Sequence, residues 1–268
     1  MMKEHLPKRS PRVEALRRQS QSTPPRLSLE RACLVTEAYE KHQGRVSVPM
    51  LRALTFQHLM THKTICINEG ELIVGERGPA PQAAPTYPEL CCHTLEDMDV
   101  MHHRDKISFL VTEEDKRIQA ETIIPYWQGR SIRDLIFSQM TPAWTDCYEA
   151  GIFTEFMEQR APGHTVADNK IYHTGLLDMM TEIDLALHRL DYQHDTEAYE
   201  KQETLKAMKV TAGALIAFAR RHAAKAREMA ADETDPLRRE ELETIATICQ
   251  HVPAHAPRTF HEALQAYW

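Results

Sequence analysis

A long stripe of apolar and small residues at helical spacing constrains the fold of this chain more than any other feature. The side chains recur every three or four positions between residues 205 and 226: Leu205, Met208, Ala212, Leu215, Ala219, Ala223 and Ala226. This period places them on one face of an α-helix. A shorter stripe follows Thr174: Leu177, Met180, Ile183, Leu187 and Leu190. The patterns predict a mainly α-helical protein.

Residues with helix-terminus preferences support this prediction. Ser28 is expected to cap a helix that ends near Gly44, and a second helix runs from Pro49 to about Lys63. Thr112 precedes three acidic residues that suit the positive end of a helix dipole, and Thr141 precedes a proline at a first helical position.

Two segments depart from the helical pattern. Residues 65–67 and 72–74 are short apolar runs on either side of Asn68-Glu69-Gly70, which is typical of a turn, so we expect a small β-hairpin there. The first 27 residues are rich in Pro, Arg, Ser and Gln, and they predict an arm that is mobile or that straps over another surface.

Charge and composition exclude several classes of partner. The net charge is −7, and the 32 Lys and Arg residues are scattered, which argues against a nucleic-acid or anionic-membrane surface. We find no apolar run near the ~18 residues that span a bilayer, and no apolar core of a secretory signal. We therefore expect a cytoplasmic protein with six reduced cysteines and a small-molecule or protein partner.

The histidine and cysteine pairs do not predict a metal site. His58 and His62 have the i, i+4 spacing of zinc proteases, but Leu59 stands where the catalytic glutamate would be. Cys91 and Cys92 are adjacent, so their side chains point apart in a helix or a strand. His251 and His255 have Pro253 between them, which disfavours a regular helical pair.

The stretch EFMEQRAPGHTV, residues 155–166, is the candidate substrate-binding segment. Phe156 and His164 flank a Pro-Gly turn, so the backbone can fold back and present both side chains to one cavity. Phe156 would supply an apolar wall, and His164 would hydrogen-bond a carboxylate or hydroxyl. A salt-bridged structural loop built from Glu155, Glu158 and Arg160 is the alternative.

Several motifs resemble the N-terminal portion of the glycyl radical enzymes of the pyruvate formate-lyase-like group. They are NEGELIVGERG, APTYPELCCHTLED, ISFLVTEEDKRI, IIPYWQGRS and EAGIFTEFMEQRAPGHTV. The last of these is similar to the branch that dehydrates trans-4-hydroxy-L-proline. The resemblance runs from about Pro11 to Trp268, so residues 28–268 are expected to be the N-terminal part of a pyruvate formate-lyase domain that is incomplete at its C-terminus.

The resemblance implies a fold, a cofactor and partners. The fold is an α/β barrel wrapped in helices, of which this chain would supply N-terminal helices. A radical-SAM activase would install a glycyl radical, which passes to a cysteine that attacks the substrate. The full-length enzyme would be a homodimer acting on an amino acid, and Phe156 and His164 would line its pocket.

The chain departs from the family pattern in one respect. It contains neither the R-V-x-G-Y-like radical loop nor the mid-chain Gly-Cys-Val-Glu-like loop, and Gly213 lies in a helical pattern. We therefore expect no catalytic residue, bound cofactor or metal in this chain, which looks cut from a larger body. The alternatives are a radical enzyme with another substrate (formate acetyltransfer, choline, a diol or a sulfonate) and a non-enzymatic helical binding module.

Overall fold

A computed structural model describes residues 10–153 and 168–268, and these are mainly helical as predicted. The α-helices are α1 (Pro11–Ser22), α2 (Glu30–His42), α3 (Val48–His62), α4 (Leu95–His103), α5 (Glu113–Ile118), α6 (Ile124–Trp127), α7 (Ile132–Phe137), α8 (Pro142–Glu149), α9 (Leu176–His188), α10 (Ala198–Asp232), α11 (Pro236–His251) and α12 (Phe260–Tyr267). A π-helical turn joins α5 to α6 at Gln119–Ile123, and a 3-10 helix, Asp168–Tyr172, precedes α9.

The long predicted stripe forms α10, which is 35 residues long and packs against α3, α9 and α11. Small side chains let α10 and α11 approach closely, and the residues between them are buried. We call this contact the α10–α11 seam; it consists of Ala223, Ala226, Ala230, Leu242, Ile245 and Ala246. Burial of this apolar surface stabilises the C-terminal half.

A second core lies between α2, α3 and the π-helical turn. It includes Val35, Leu59 and Trp127, all buried. The indole Nε1 of Trp127 donates a hydrogen bond of 2.8 Å to the Thr36 hydroxyl, so the one polar group of this ring is satisfied inside the core.

The predicted hairpin is wrong. In the described residues the strands are β1 (Arg26–Ser28) and β2 (Ala83–Pro85), which pair in parallel. β2 lies within the proline-rich loop, and β1 includes Ser28, so the N-cap position of α2 falls on Leu29 instead. The turn at residues 68–71 does form, with Gly70 at a φ of +75°.

Distant side chains satisfy the backbone of residues 68–74 in place of a strand partner. Gln265 accepts from the Val74 amide at 2.8 Å and donates to its carbonyl at 2.7 Å. Arg238 donates to the carbonyls of Asn68 and Glu71. Backbone groups must find partners when buried, and here the partners lie about 170 or more residues away. The local pattern alone contained no sign of them.

The predicted arm contains α1, capped by Ser10. Arg12 in its first turn donates to the Gly70 carbonyl at 2.9 Å and pairs with Glu241 on α11. This part of the arm therefore straps across the 68–74 segment. The division of the chain at residues 27 and 28 remains a prediction.

Candidate functional site

The predicted substrate-binding residues, Phe156 and His164, lie outside the described residues. The structure does describe the chain on both sides of them, up to Phe153 and from Asp168 onwards.

An aromatic cluster holds the first flank. The rings of Trp144 and Tyr148, one turn apart on α8, are stacked with centroids 5.5 Å apart, and Phe153 packs at 5.1 Å from Trp144. Arg133 on α7 lies over Phe137 at 4.3 Å and donates to the Tyr148 hydroxyl at 2.6 Å. Aromatic stacking and a cation over a ring each stabilise such a cluster. Phe153, the last residue described on this flank, therefore lies in a packed environment.

The second flank is tied to the turn that follows α11. The amides of Leu176 and Leu177 donate to the carbonyls of Pro253 and Ala254 at 2.9 and 3.1 Å. Gly175 makes this approach possible, since a Cβ there would overlap the Ala254 carbonyl and the backbone of His255. The start of α9 is therefore fixed against residues 253–255.

A cleft of ≈ 530 Å³ opens beside this second flank. It lies among α9, α10, α11 and α12, and its lining includes Ile171 and Thr174 from the flank itself. The other residues that matter for its chemistry are Phe218, His222, Cys249, Gln265, Tyr267 and Trp268. None of the described lining residues is Asp, Glu, Lys or Arg. The cleft is mostly apolar, with a few polar groups.

His222 is the buried polar side chain among the described residues that line this cleft. Its side chain is buried, and its Nδ1 donates to the Phe218 carbonyl at 3.1 Å, which leaves Nε2 as an acceptor in the neutral ring. Burial, together with the charges of Lys63 and Arg221, lowers the pKa of His222 below its ordinary value. The imidazole is therefore neutral at pH 7.

The Cys249 thiol is expected to be unreactive at neutral pH. Burial raises its pKa to about 12, and the same effect raises the pKa of Cys92 to about 11. A thiol is a nucleophile only as the thiolate, so neither group reacts readily at neutral pH. These two cysteines contribute packing.

The histidine pairs behave as ordinary polar residues. His58 pairs with Glu37 at 2.9 Å, and His62 bonds the carbonyl of His58. His251 and His255 do stack, with ring centroids 5.1 Å apart, although α11 ends between them. Among the described residues no group of three or more His, Cys, Asp or Glu could hold a metal ion.

The cleft and His222 were missed by the sequence analysis. One signal was present, because His222 follows Ala219 by three positions and so falls on the apolar stripe of α10. A histidine on such a stripe is usually a satisfied core residue. The cleft beside it depends on α12 and the 253–255 turn, which local patterns do not place.

Comparison with known proteins identifies the family. The model of the pyruvate formate lyase-like family matches residues 2–268. The chain belongs to this family. Within the described residues, no helix has the length and hydropathy needed to cross a bilayer.

Two of the similar proteins are hydroxyproline dehydratases. The chain is 51% identical to trans-4-hydroxy-L-proline dehydratase of Clostridioides difficile, over 96% of this chain and 33% of the relative. It superposes with a TM-score of 0.91 and 50% identity on the crystal structure of hydroxyproline dehydratase from the same organism with trans-4-hydroxy-L-proline bound, over 97% of this chain and 33% of that one.

A third match is a glycyl radical enzyme from Archaeoglobus fulgidus, with a TM-score of 0.85 and 32% identity over 96% of this chain and 33% of that one. The chain thus spans about a third of the length of the pyruvate formate lyase-like proteins it matches. The predicted resemblance to part of a glycyl radical enzyme is confirmed.

Proposed function

We propose that this chain is the N-terminal third of a cytoplasmic radical dehydratase that converts trans-4-hydroxy-L-proline and releases 1-pyrroline-5-carboxylate and water. One observation carries the proposal: 51% identity to trans-4-hydroxy-L-proline dehydratase of Clostridioides difficile across nearly the whole chain. An isethionate sulfite-lyase of Nitratidesulfovibrio vulgaris, whose name gives a different substrate, is 32% identical to this chain.

The role of this chain would be to form part of the substrate pocket. Phe156 would supply an apolar wall for the ring, and His164 would hydrogen-bond the hydroxyl or the carboxylate. The described flanks are compatible with this role, since Phe153 packs in the aromatic cluster and the amides of Leu176 and Leu177 bond the 253–255 turn.

The radical chemistry would come from residues outside these 268. A glycyl radical, installed by a radical-SAM activase, would supply hydrogen abstraction through a cysteine. Neither loop motif occurs here, and Gly213 lies inside α10. The isolated chain would therefore be inactive, and the active form would be a homodimer of the longer polypeptide.

A chimaera tests the proposal. These 268 residues would replace the matching third of the C. difficile dehydratase, and the product would be activated anaerobically and assayed with trans-4-hydroxy-L-proline, a diol, choline and isethionate. We expect turnover of hydroxyproline alone. Turnover of another substrate in preference to it would contradict the proposal.

Substitutions in the segment test the two site residues. His164→Ala and Phe156→Ala should each lower kcat/KM of the chimaera by roughly ten- to a hundredfold, the effect of losing one contact to a bound substrate. His188→Ala, at an exposed position of α9, is the matched control and should leave kcat/KM unchanged. Equal effects of His164→Ala and His188→Ala would remove His164 from the site.

A further inference from the structure

Two hydrogen bonds hold the connection between α4 and α5 against the last turn of α4. We call residues 104–110 of this connection the 104–110 loop. The Phe109 amide donates to the Met101 carbonyl at 2.9 Å. The Val111 amide, directly after the loop, donates to Nδ1 of the His102 imidazole at 3.0 Å. The loop therefore turns back onto α4, and one of the two contacts that hold it there uses a titratable side chain.

The far end of the loop is held by β1 instead. The Leu110 amide donates to the Pro25 carbonyl at 2.8 Å, and the Leu110 carbonyl accepts from the Leu27 amide at 2.9 Å. Val111 is 6% exposed, so its amide depends on a partner from within the protein. The loop can therefore separate from α4 while Leu110 stays on β1.

The contact with Val111 requires one protonation state of His102. A ring nitrogen accepts a hydrogen bond only when it carries no proton, so in the neutral ring the proton is on Nε2. In the imidazolium both nitrogens carry protons, and the Nδ1 proton would then point at the Val111 N–H group. Protonation of His102 removes this hydrogen bond and places two donors against each other.

The groups that face His102 from α4 and α5 favour its positive charge. His102 lies in the last turn of α4, where the helix dipole favours a cation, and the His103 ring lies 4.6 Å from it. The hydrogen bond from Lys116 lowers the pKa of Asp99, so this neighbouring carboxylate stays charged when the pH falls to 5. Lys116 is itself paired with both Asp99 and Glu113. Asp99 therefore supplies a negative charge beside His102 throughout the range in which a histidine titrates.

The charges on the loop side have the opposite effect. The loop contains Arg104, Asp105 and Lys106, and Arg26 on β1 bridges to its far end. The Arg104 guanidinium lies 5.6 Å from the centroid of the Phe109 ring. Three cations against one anion repel a further positive charge on His102 while the loop is closed. Separation of the loop from α4 relieves this repulsion.

The closed loop also contains a strained residue. Ile107 has a φ of +55°, a left-handed conformation that is unfavourable for a β-branched side chain. Its carbonyl accepts from Nε of Arg104 at 2.7 Å, while its side chain is 79% exposed, so burial of that side chain does not offset the strain. The closed loop therefore depends on its hydrogen bonds, and the bond to His102 is the one that a proton removes.

We propose that His102 is a pH-sensitive latch for the 104–110 loop. The loop is closed on α4 while Nδ1 accepts from the Val111 amide, and protonation of the ring releases it. Because the open loop binds this proton more readily than the closed loop, a fall in pH shifts the population towards the open form. The proposal goes beyond the proposed catalytic role and does not depend on the identity of the substrate.

Hydrogen exchange followed by NMR tests the latch in the 268-residue chain. Protection factors, which correct for the intrinsic effect of pH on exchange, would be measured at about pH 8 and at about pH 5, the range in which an imidazole changes charge. The Phe109 and Val111 amides should lose about tenfold in protection at the lower pH, the effect of one lost hydrogen bond. The Ile245 amide, in the α10–α11 seam, should not. Equal protection of the loop amides at both pH values would overturn the proposal, as would a loss of the same size at Ile245.

Substitution of His102 separates the latch from the other groups that titrate. His102→Gln retains an acceptor that carries no proton at either pH, so its loop should stay protected at both. His103→Gln is the matched control, since it removes the neighbouring histidine of the same helical turn and should leave the response of the unsubstituted chain intact. A full response in His102→Gln, or its loss in His103→Gln, would assign the response to another group and overturn the proposal.

The ring of His102 supplies a readout that needs no substitution. Nitrogen-15 NMR distinguishes a protonated from an unprotonated ring nitrogen. At about pH 8 we expect Nδ1 to be unprotonated, and at about pH 5 we expect both nitrogens to carry protons as the Val111 amide loses protection. A proton on Nδ1 of the neutral ring would mean that the Val111 amide has no acceptor there, and this result would also overturn the proposal.

Discussion

The α10–α11 seam and the α12 face, by which we mean Phe260, Tyr267 and Trp268, are both apolar, yet they are built from different residues. The seam consists largely of alanines with a few branched side chains, all buried against each other. The α12 face carries Phe260, Tyr267 and Trp268, which are mostly exposed. Small residues suit a contact completed by close approach of two helices, while large aromatic residues provide contact area for a partner. The buried small residues of the seam stabilise this chain, while the exposed aromatic residues of α12 are available to contact another surface.

This comparison predicts that the free energy of unfolding of the 268-residue chain depends most on the seam and least on α12. Leu242→Ala, in the seam, should lower it by about 2–5 kcal/mol through lost burial and the remaining cavity. Leu237→Ala, at an exposed position of the same helix, is the control and should change it by less than about 0.5 kcal/mol. Urea unfolding at pH 7 measures the free energy of unfolding of both variants. Similar unfolding midpoints for the two would contradict the prediction.

An intermediate effect is expected at the cleft, between the seam and the α12 face. Gly175→Ala should lower the free energy of unfolding by about 1–3 kcal/mol, because the methyl group forces the start of α9 away from residues 253–255. Gly213→Ala is the matched control inside α10, where a Cβ meets nothing within 4 Å. It should raise stability by about 0.5–1 kcal/mol. A gain for both variants would show that the approach at Gly175 relaxes at no cost.

The smallest effect is expected on α12 and appears as a pH dependence. The hydrogen bond from Arg258 lowers the pKa of Glu262, while its burial partly opposes the shift. A carboxyl with a lowered pKa stabilises the fold above its ordinary value of about 4.3, and this stabilisation is lost as the pH falls through the lowered pKa. Glu262→Gln should therefore lower Tm slightly at pH 7. The variant should also lose less Tm than the unsubstituted chain when the pH falls below 4. If the variant and the unsubstituted chain lose the same Tm below pH 4, other carboxyl groups cause that loss.

The parts of the fold that depend on neighbouring residues could be predicted from the sequence, and the parts that depend on remote residues could not. Thr112 and Thr141 cap their helices as expected, because a cap uses only the next few residues. Residues 65–74 were wrongly predicted as a hairpin, because Gln265, Arg238 and Arg12 supply their hydrogen-bond partners from remote positions. The family could be predicted from its motifs. The cleft could not, because it exists only where four helices meet.

The contacts that α1 and Val74 make with α11 and α12 can form only late in the synthesis of these residues. Arg12 is separated from Glu241 by 229 residues, and Val74 from Gln265 by 191. At roughly 5–20 residues per second, the ribosome takes on the order of ten to fifty seconds to reach Glu241 after Arg12 has been made. During that interval α1 and the loop beneath it lack their contacts with α11 and α12. A nascent chain of this protein therefore leaves its N-terminal helix without the contact to α11 until Glu241 has been made.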